Sequence, residues 1–540
     1  MFATEFIMRV LSQWVASMRV RRVIGVAVCV AGAVGLAASL TPVAEAVTDV
    51  DCTVTSLQAK APKDTTVASA KVVPAEGNLP QFCQVEGSVA TPGNQVGFRL
   101  ALPADWNGKF YFQGIGGFGG TFTNMNRGVS RKYASATTDM GHKGAAFDGS
   151  FATKNQAQVI DFGNRGTHVT AVATQALTTA YYSRKPQFAY FNGCSTGGRS
   201  ALMEAQRYPS DFDGIIGGAP GFGVTLQMVR QDLYKWMTAK PENYVPSSKI
   251  DVMAKATLAE CDARDGLKDG LISDPSLCRF KPESMKCAGP DAPDCLTGPQ
   301  VETVKRILAG LKTKSGEVLV PGFPIGHEEL PTGWQQSIVG SKPPVFSADG
   351  RATWPEGAPN GYVFAEQHFR YFFFRDIPNY DWMTFDLERD RPRVQPMAEI
   401  LDSTNPDLRP FEKRNGKFIL YHGWNDSMIS AYWTVGYYDR VVKAVGGKSQ
   451  ADQFIRLFLV PGMHHCAGGP GPNTFDSLTA LESWVERGVA PDQIVASHLT
   501  NQKVDRTRPL CPHPKVATYK GTGSIDDAAN FTCEAPQPSR

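Results

Sequence analysis

What this 540-residue chain lacks narrows its reading first. It has no surplus of charge: 55 lysines and arginines stand against 52 aspartates and glutamates, a net charge of +3. That balance argues against a nucleic-acid partner or an anionic membrane surface. Nothing signals large-scale disorder, since 42% of residues are hydrophobic and 20% charged, as in folded globular proteins. No internal repeat is visible. No C-x-x-C pair occurs, which disfavours zinc as the reason for the cysteines. Only one apolar run approaches the length that crosses a bilayer, residues 23–40.

That run follows Met18-Arg19-Val20-Arg21-Arg22 and precedes Ala44-Glu45-Ala46. A basic region, an apolar core and a small-x-small site predict a secretory signal over residues 1–46, cut after Ala46. A retained membrane anchor is the competing reading. Arg21-Arg22 hints at a twin-arginine route on a poor flanking pattern, and Met8 or Met18 is an alternative start. The expectation is a secreted or periplasmic protein with no stable membrane association after signal cleavage. Of eleven cysteines, Cys29 falls in the signal. The other ten are Cys52, Cys83, Cys194, Cys261, Cys278, Cys287, Cys295, Cys466, Cys511 and Cys533. An even number in an exported chain predicts a disulfide framework, with Cys261/Cys278 and Cys287/Cys295 as close natural partners.

Strand patterns occur at 98–102, 109–113, 133–139, 188–191, 214–218, 417–421 and 454–460. Helical patterns occur at 167–182, 199–208, 432–445 and 475–487. Alternation of the two predicts an α/β fold with a mostly parallel sheet and helices on both sides. Residues 47–221 and 406–540 form its two parts. Between them, over 222–405, regularity weakens and Pro, Gly, Asp and aromatics cluster. That stretch is expected to be a large lid domain packed on the ligand-binding end of the sheet.

Chemistry concentrates at Gly193-Cys194-Ser195-Thr196-Gly197, a G-x-S-x-G between an apolar strand and a helix. On such a turn the serine hydroxyl stands exposed, and the Thr196 N–H can stabilise an oxyanion. In an α/β-hydrolase fold the acid and base follow the serine in chain order. Asp426 sits just beyond the strand 417–421, where an orienting acid belongs. His464 and His465 follow the strand 454–460, and either can be the base. His422, ahead of Asp426, suits a supporting role. Gly114-Ile115-Gly116-Gly117-Phe118-Gly119-Gly120 follows another strand and is either an oxyanion loop or a flexible turn. Cys261-Asp262-Ala263-Arg264-Asp265-Gly266-Leu267-Lys268-Asp269-Gly270-Leu271 offers three carboxylates on a tightly turning loop. Those hard oxygens suit calcium. Solvated Asp-Gly turns are the alternative, and the spacing is not that of an EF-hand.

Gly193-Cys194-Ser195-Thr196-Gly197-Gly198, His422-Gly423-Trp424-Asn425-Asp426 and Gly462-Met463-His464-His465-Cys466 resemble the tannase and feruloyl esterase family. That family also includes mono(2-hydroxyethyl) terephthalate hydrolases. The resemblance runs from about Cys52 to Cys533. It implies the α/β-hydrolase fold with Ser195 as nucleophile, Asp426 as acid and His465 rather than His464 as base. It implies a disulfide from Cys194 to Cys466. It places the second oxyanion donor at Ile115, with Gly114 or Gly116 as alternatives. It implies a structural calcium ion held by Asp262, Asp265 and Asp269 and by the carbonyls of Leu267 and Leu271, beside a Cys261–Cys278 bond.

The resemblance also implies an ester of an aromatic acid as substrate. The aromatic segment His368-Phe369-Arg370-Tyr371-Phe372-Phe373-Phe374-Arg375 would build an acyl-pocket wall or simply lid core. Arg370 is a candidate to meet a free carboxylate, as a lid arginine does in the terephthalate hydrolases. Those hydrolases carry phenylalanine at the third position after the acid, where this chain has Ile429. The departure favours phenolic esters such as gallates or ferulates, with a terephthalate monoester as the alternative. Two rival readings remain: a non-catalytic ligand-binding α/β-hydrolase relative and a peptidase on the same fold.

Overall fold

The structure is a computed structural model that describes residues 51–536 except Leu330, Asp349 and Arg351. Residues 1–46, expected from the sequence to be a signal, and Cys29 within them lie outside the described residues, which all belong to one compact unit, Ala44–Arg540. Among the described residues no helix is long and apolar enough to cross a membrane.

Nine strands form the central sheet: β1 (Thr65–Val73), β2 (Phe82–Thr91), β3 (Asn94–Pro103), β4 (Phe110–Gln113), β5 (Ala134–Thr138), β6 (Ala189–Cys194), β7 (Gly214–Gly218), β8 (Lys417–Gly423) and β9 (Ile455–Val460). Their order is β1-β2-β3-β5-β4-β6-β7-β8-β9. Pairings from β5 to β9 are parallel and those from β1 to β5 antiparallel. The helices used below are α1 (Gly166–Tyr182), α2 (Thr196–Arg207), α3 (Thr225–Met237), α4 (Ser247–Cys261), α5 (Gly298–Ala309), α6 (Asn360–His368), α7 (Leu387–Leu401), α8 (Ala431–Val445) and α9 (Ser477–Arg487).

The parallel strands are apolar on both faces, as a sheet covered on both sides must be. Alternate residues go to opposite cores. Phe112, Phe191 and Phe418 join the larger core. Tyr111, Tyr190 and Ile419 join the other, against Leu481 and Trp484 of α9. Gly214 sits where a Cβ would come within 2.8 Å of the Tyr190 ring and 2.9 Å of Leu481, so α9 can lie close on the sheet. The antiparallel β1 and β2 were not evident from the sequence. β1 is an edge strand with most of its residues partly or fully exposed, which dilutes the apolar signal.

Between β7 and β8 the chain is richer in helix than its composition suggests. It holds α3 to α7, none of whose intervening strands joins the central sheet. α7 contains Pro392 and Pro396 and still runs from Leu387 to Leu401, starting on an Asp386 side chain that caps Glu388 and Arg389. Five disulfides join Cys52–Cys83, Cys194–Cys466, Cys261–Cys278, Cys287–Cys295 and Cys511–Cys533.

Candidate active site

β6 delivers Ser195 at the head of α2 in a strained backbone, φ 63° and ψ −118°. A non-glycine residue there is costly and persists only where its surroundings hold it. The Ser195 N–H donates to Gly218 O at 3.0 Å, which fixes the turn against β7. A Cβ on Gly193 would lie 2.6 Å from Gly197, and one on Gly198 only 2.1 Å from Gly218 O. At Gly197 the nearest atom would be Ile115 O at 3.3 Å. Of the glycines in this turn, Gly193 and Gly198 are therefore the ones that close packing most demands.

Asp426 follows β8 and is fully enclosed. Its Oδ1 accepts the N–H groups of Met428 and Ile429 at 2.8 and 2.9 Å. Its Oδ2 meets His465 Nδ1 at 2.7 Å and His422 Nε2 at 3.1 Å. Burial alone would raise this carboxyl, but His465 and His422 outweigh it and hold it well below the usual carboxylate range. His422 Nε2 also faces Ile429 O at 2.9 Å, so it is a donor, while Nδ1 accepts from Thr434 Oγ1 at 2.7 Å. His422 thus braces Asp426 from behind.

The two adjacent histidines are used differently. His465 gives Nδ1 to Asp426, which leaves Nε2 as its acceptor nitrogen. His464 is buried and committed at both nitrogens. Nε2 donates to His327 O at 3.0 Å and Nδ1 accepts from Thr332 Oγ1 at 2.8 Å. Cys466, beside His465, is bonded to Cys194, beside Ser195, with 6.0 Å between their α-carbons.

Thr196 opens α2, where an N–H has no partner within the helix. Its Oγ1 donates to Gly117 O at 2.6 Å, tying the glycine loop to the elbow. In that loop the Gly114 N–H is already spent on Asn192 O at 2.8 Å. That removes Gly114 as an oxyanion donor and leaves Ile115, with Gly116 beside it.

A pocket at Ser195 and Thr196 is walled by Phe118 from the core and by Leu226, Phe364 and His368 from the insertion. Two buried guanidinium groups, Arg199 and Arg230, also line it. Arg199 donates to Phe162 O at 2.8 Å, and Arg230 donates to Met428 O at 2.8 Å and Gln227 Oε1 at 3.0 Å. Burial pulls both down to about 10. Sequence reading missed both arginines. Arg199 lies one helical turn beyond Ser195, a spacing that could have marked it. Of the aromatic segment, His368 reaches the pocket, while Phe369 and Phe374 pack with Phe385 inside the insertion. Arg370 pairs with Glu366 at 3.1 Å, is 41% exposed and does not line the pocket.

Segment 322–333 of the insertion is stitched to the loops that carry Asp426 and His465. Asn425 donates to Gly326 O, Ser427 to Gly333 O and Ser430 to Gly322 O, while His464 holds His327 and Thr332.

After α4 and the Cys261–Cys278 bond, the acidic loop folds back on itself. Asp262 accepts the N–H groups of Asp269 and Gly270 at 3.1 to 3.2 Å. Asp265 accepts those of Leu267 and Ser273, and Asp269 that of Leu271. Burial raises Asp265 and Asp269, and each is raised further by a neighbouring aspartate. Arg508, from the strand Lys503–Leu510, pairs with Asp269, and its partner role was not evident from sequence.

The comparisons agree with this geometry. A family model described as tannase and feruloyl esterase matches residues 83–534. An uncharacterized esterase of Xanthomonas campestris is 35% identical over 529 residues, covering 87% of this chain and 89% of its own. Mono(2-hydroxyethyl) terephthalate hydrolase of Piscinibacter sakaiensis is 34% identical, covering 85% of each chain. The crystal structure of feruloyl esterase B from Aspergillus oryzae superposes with a TM-score of 0.80 at 29% identity, over 90% of this chain and 99% of that one. An α/β-hydrolase sheet, an enclosed Asp–His pair bridged to a strained serine, and matches over most of the length converge: this chain belongs to the tannase and feruloyl esterase family and is a carboxylic ester hydrolase.

Proposed function

We propose that the protein is an exported serine esterase that hydrolyses esters of aromatic acids through an acyl-enzyme on Ser195. The observation that carries this is the 2.7 Å contact between His465 Nδ1 and Asp426, on a loop bonded through Cys466 to the residue before Ser195. With Nδ1 held, His465 Nε2 takes the proton of Ser195 Oγ as the hydroxyl attacks the ester carbonyl. The N–H groups of Thr196 and Ile115 receive the negative charge that develops on the carbonyl oxygen. His465 returns the proton to the leaving alcohol. Water, deprotonated by the same nitrogen, then attacks the acyl carbonyl; the bond to Ser195 Oγ breaks, His465 returns the proton to Oγ, and the acid is released. Asp426 stays ionised and stabilises the imidazolium formed in each step.

Phe118, Phe364 and His368 give the acyl pocket flat walls, which suits a phenolic acyl group such as galloyl or feruloyl. Ile429, also in the lining, leaves room where the terephthalate hydrolases carry a larger ring. A second reading, a terephthalate monoester, is favoured by Arg199 and Arg230, two buried cations able to meet a carboxylate. The test compares kcat/KM on methyl gallate, methyl ferulate and a terephthalate monoester, with Ser195→Ala beside the wild type. Phenolic esters are expected to lead and the alanine variant to lose at least about a thousandfold in kcat. A lead for the monoester reverses the substrate assignment, and a fully active Ser195→Ala refutes the mechanism.

The acidic loop suits a structural calcium ion. Its donors are hard oxygens: the carboxylates of Asp262, Asp265 and Asp269 with the carbonyls of Leu267 and Leu271. Burial and mutual repulsion of the carboxylates, only partly offset by Arg508, support a divalent cation there. When bound, calcium would order this loop and take no part in ester hydrolysis. The insertion over 222–405 serves as the lid. Five disulfides support export to an oxidising compartment, secreted or periplasmic.

A further inference from the structure

Away from the active site, three groups converge that esterase chemistry does not use. His168 lies on α1, Glu204 near the end of α2, and Asp211 in the turn from α2 to β7. One ligand atom from each lies within 4.8 Å of the other two. His168 Nδ1 meets Asp211 Oδ2 at 2.6 Å. Glu204 is fully buried, and neither of its carboxylate oxygens has a hydrogen-bond partner. Among the described residues no lysine or arginine pairs with Glu204 or Asp211; Arg207, nearest in sequence, donates to Glu399 O instead. Two carboxylates therefore share this space with one imidazole and, at 3.5 Å from Asp211 Oδ1, the Ser210 hydroxyl, but with no lysine or arginine. Such an arrangement requires a cation or a shared proton.

The geometry points to a binding site for a divalent transition cation of the zinc type, held by His168, Glu204 and Asp211. One imidazole nitrogen with two carboxylates is a zinc-type donor set, whereas calcium takes oxygen ligands. Three protein ligands leave a fourth position for water, and the His168 side chain is 31% exposed, which gives the ion a way in. The Tyr208 ring stacks on His168 at 3.9 Å and fixes the imidazole plane. For both to reach a metal at about 2 Å, His168 Nδ1 and Asp211 Oδ2 must part to roughly 3.3 Å, the edge of a tetrahedron of that size.

Glu204 lies nine residues beyond Ser195, about 13 Å along the same helix. The ion would not touch substrate. It would pin α1, the far end of the nucleophile helix and the entry to β7 to one another. Its competitor is a proton shared between Glu204 and Asp211, which would hold the pair without metal.

The test uses the full mature protein, saturated with calcium so that the acidic loop does not compete. Zn²⁺ is titrated by calorimetry and thermal melting, and Co²⁺ by visible absorption. One equivalent is expected to bind, raising Tm by about 2–3 °C at a hundredfold excess over Kd. Binding and the cobalt bands are expected to vanish in Glu204→Gln and in His168→Phe, and to persist in Asp262→Asn. His168→Phe keeps an aromatic ring on Tyr208 and serves if Glu204→Gln does not fold. The proposal is overturned if the wild type binds neither ion, or if His168→Phe binds as the wild type does. It is equally overturned if Glu204→Gln raises Tm while Zn²⁺ leaves the wild type unchanged, since the pair then holds a proton.

Discussion

Replacing both Cys194 and Cys466 by alanine tests how Ser195 and His465, the proposed nucleophile and base, are held together. The bond closes a loop of 272 residues, and the Cys287–Cys295 bond one of 8. The chain-entropy argument assigns the first roughly 5–6 kcal/mol and the second about 2.5 kcal/mol. For a chain of this length about 1 kcal/mol corresponds to roughly 1 °C in Tm. The two double-alanine variants should therefore melt only about 3 °C apart. The rate should separate them more sharply. Ser195 and His465 each sit next to one sulfur of the long-range bond, and a misplacement of about 1 Å at reacting groups costs on the order of a hundredfold. Cys194→Ala/Cys466→Ala is expected to lose ten- to a hundredfold in kcat on methyl ferulate, and Cys287→Ala/Cys295→Ala less than threefold. If the first variant keeps kcat within twofold of the wild type while the second loses more, the bond does not set the register.

Three further outcomes are expected. His465→Ala should lose at least about a thousandfold in kcat, whereas His464→Ala should keep most of its rate yet melt lower, because Thr332 and His327 O lose a buried partner worth about 1–3 kcal/mol; equal rate losses would assign the base wrongly. Removing calcium by chelation should lower Tm, and Asp262→Asn should abolish that shift; a purified protein containing no calcium and indifferent to it would leave the loop a turn. Glu328, fully buried, is pushed by burial up to about 7 from 4.5. Its ionisation therefore opposes folding increasingly as pH rises from about 4.5 to 7, and fully above that. Glu328→Gln should raise Tm at pH 8 and leave it unchanged at pH 4, and the opposite order would contradict the burial argument.

The parts legible in the sequence were those where a backbone constraint or a strand period leaves a mark in residue type. The elbow shows because Gly193 and Gly198 must lack a Cβ, and β4, β6 and β8 show as short apolar runs. The helices of the insertion were obscured, since Pro392 and Pro396 read as breaks and yet sit inside α7. His464 could not be separated from His465 on position alone, because the difference lies in Thr332 and His327, over a hundred residues away. The same holds for His168, Glu204 and Asp211, which come from three elements with no fixed spacing. Arg230 sits on α3 among apolar neighbours, and only the packing of α3 beside Phe364 brings it to the pocket.

The hydrogen bonds from Asn425, Ser427, Ser430 and His464 into segment 322–333 bear on how such an enzyme can be altered. A cap joined only through its ends could be exchanged between relatives like a cartridge, bringing a new specificity with it. Here the insertion supplies the abutments on which the Asp426 and His465 loops rest. Grafting a foreign cap onto this open nine-stranded sheet and its helices would remove those abutments along with the old pocket, so a chimaera must carry its own Asp and His loops with it. Specificity and turnover in this architecture are inherited as one block.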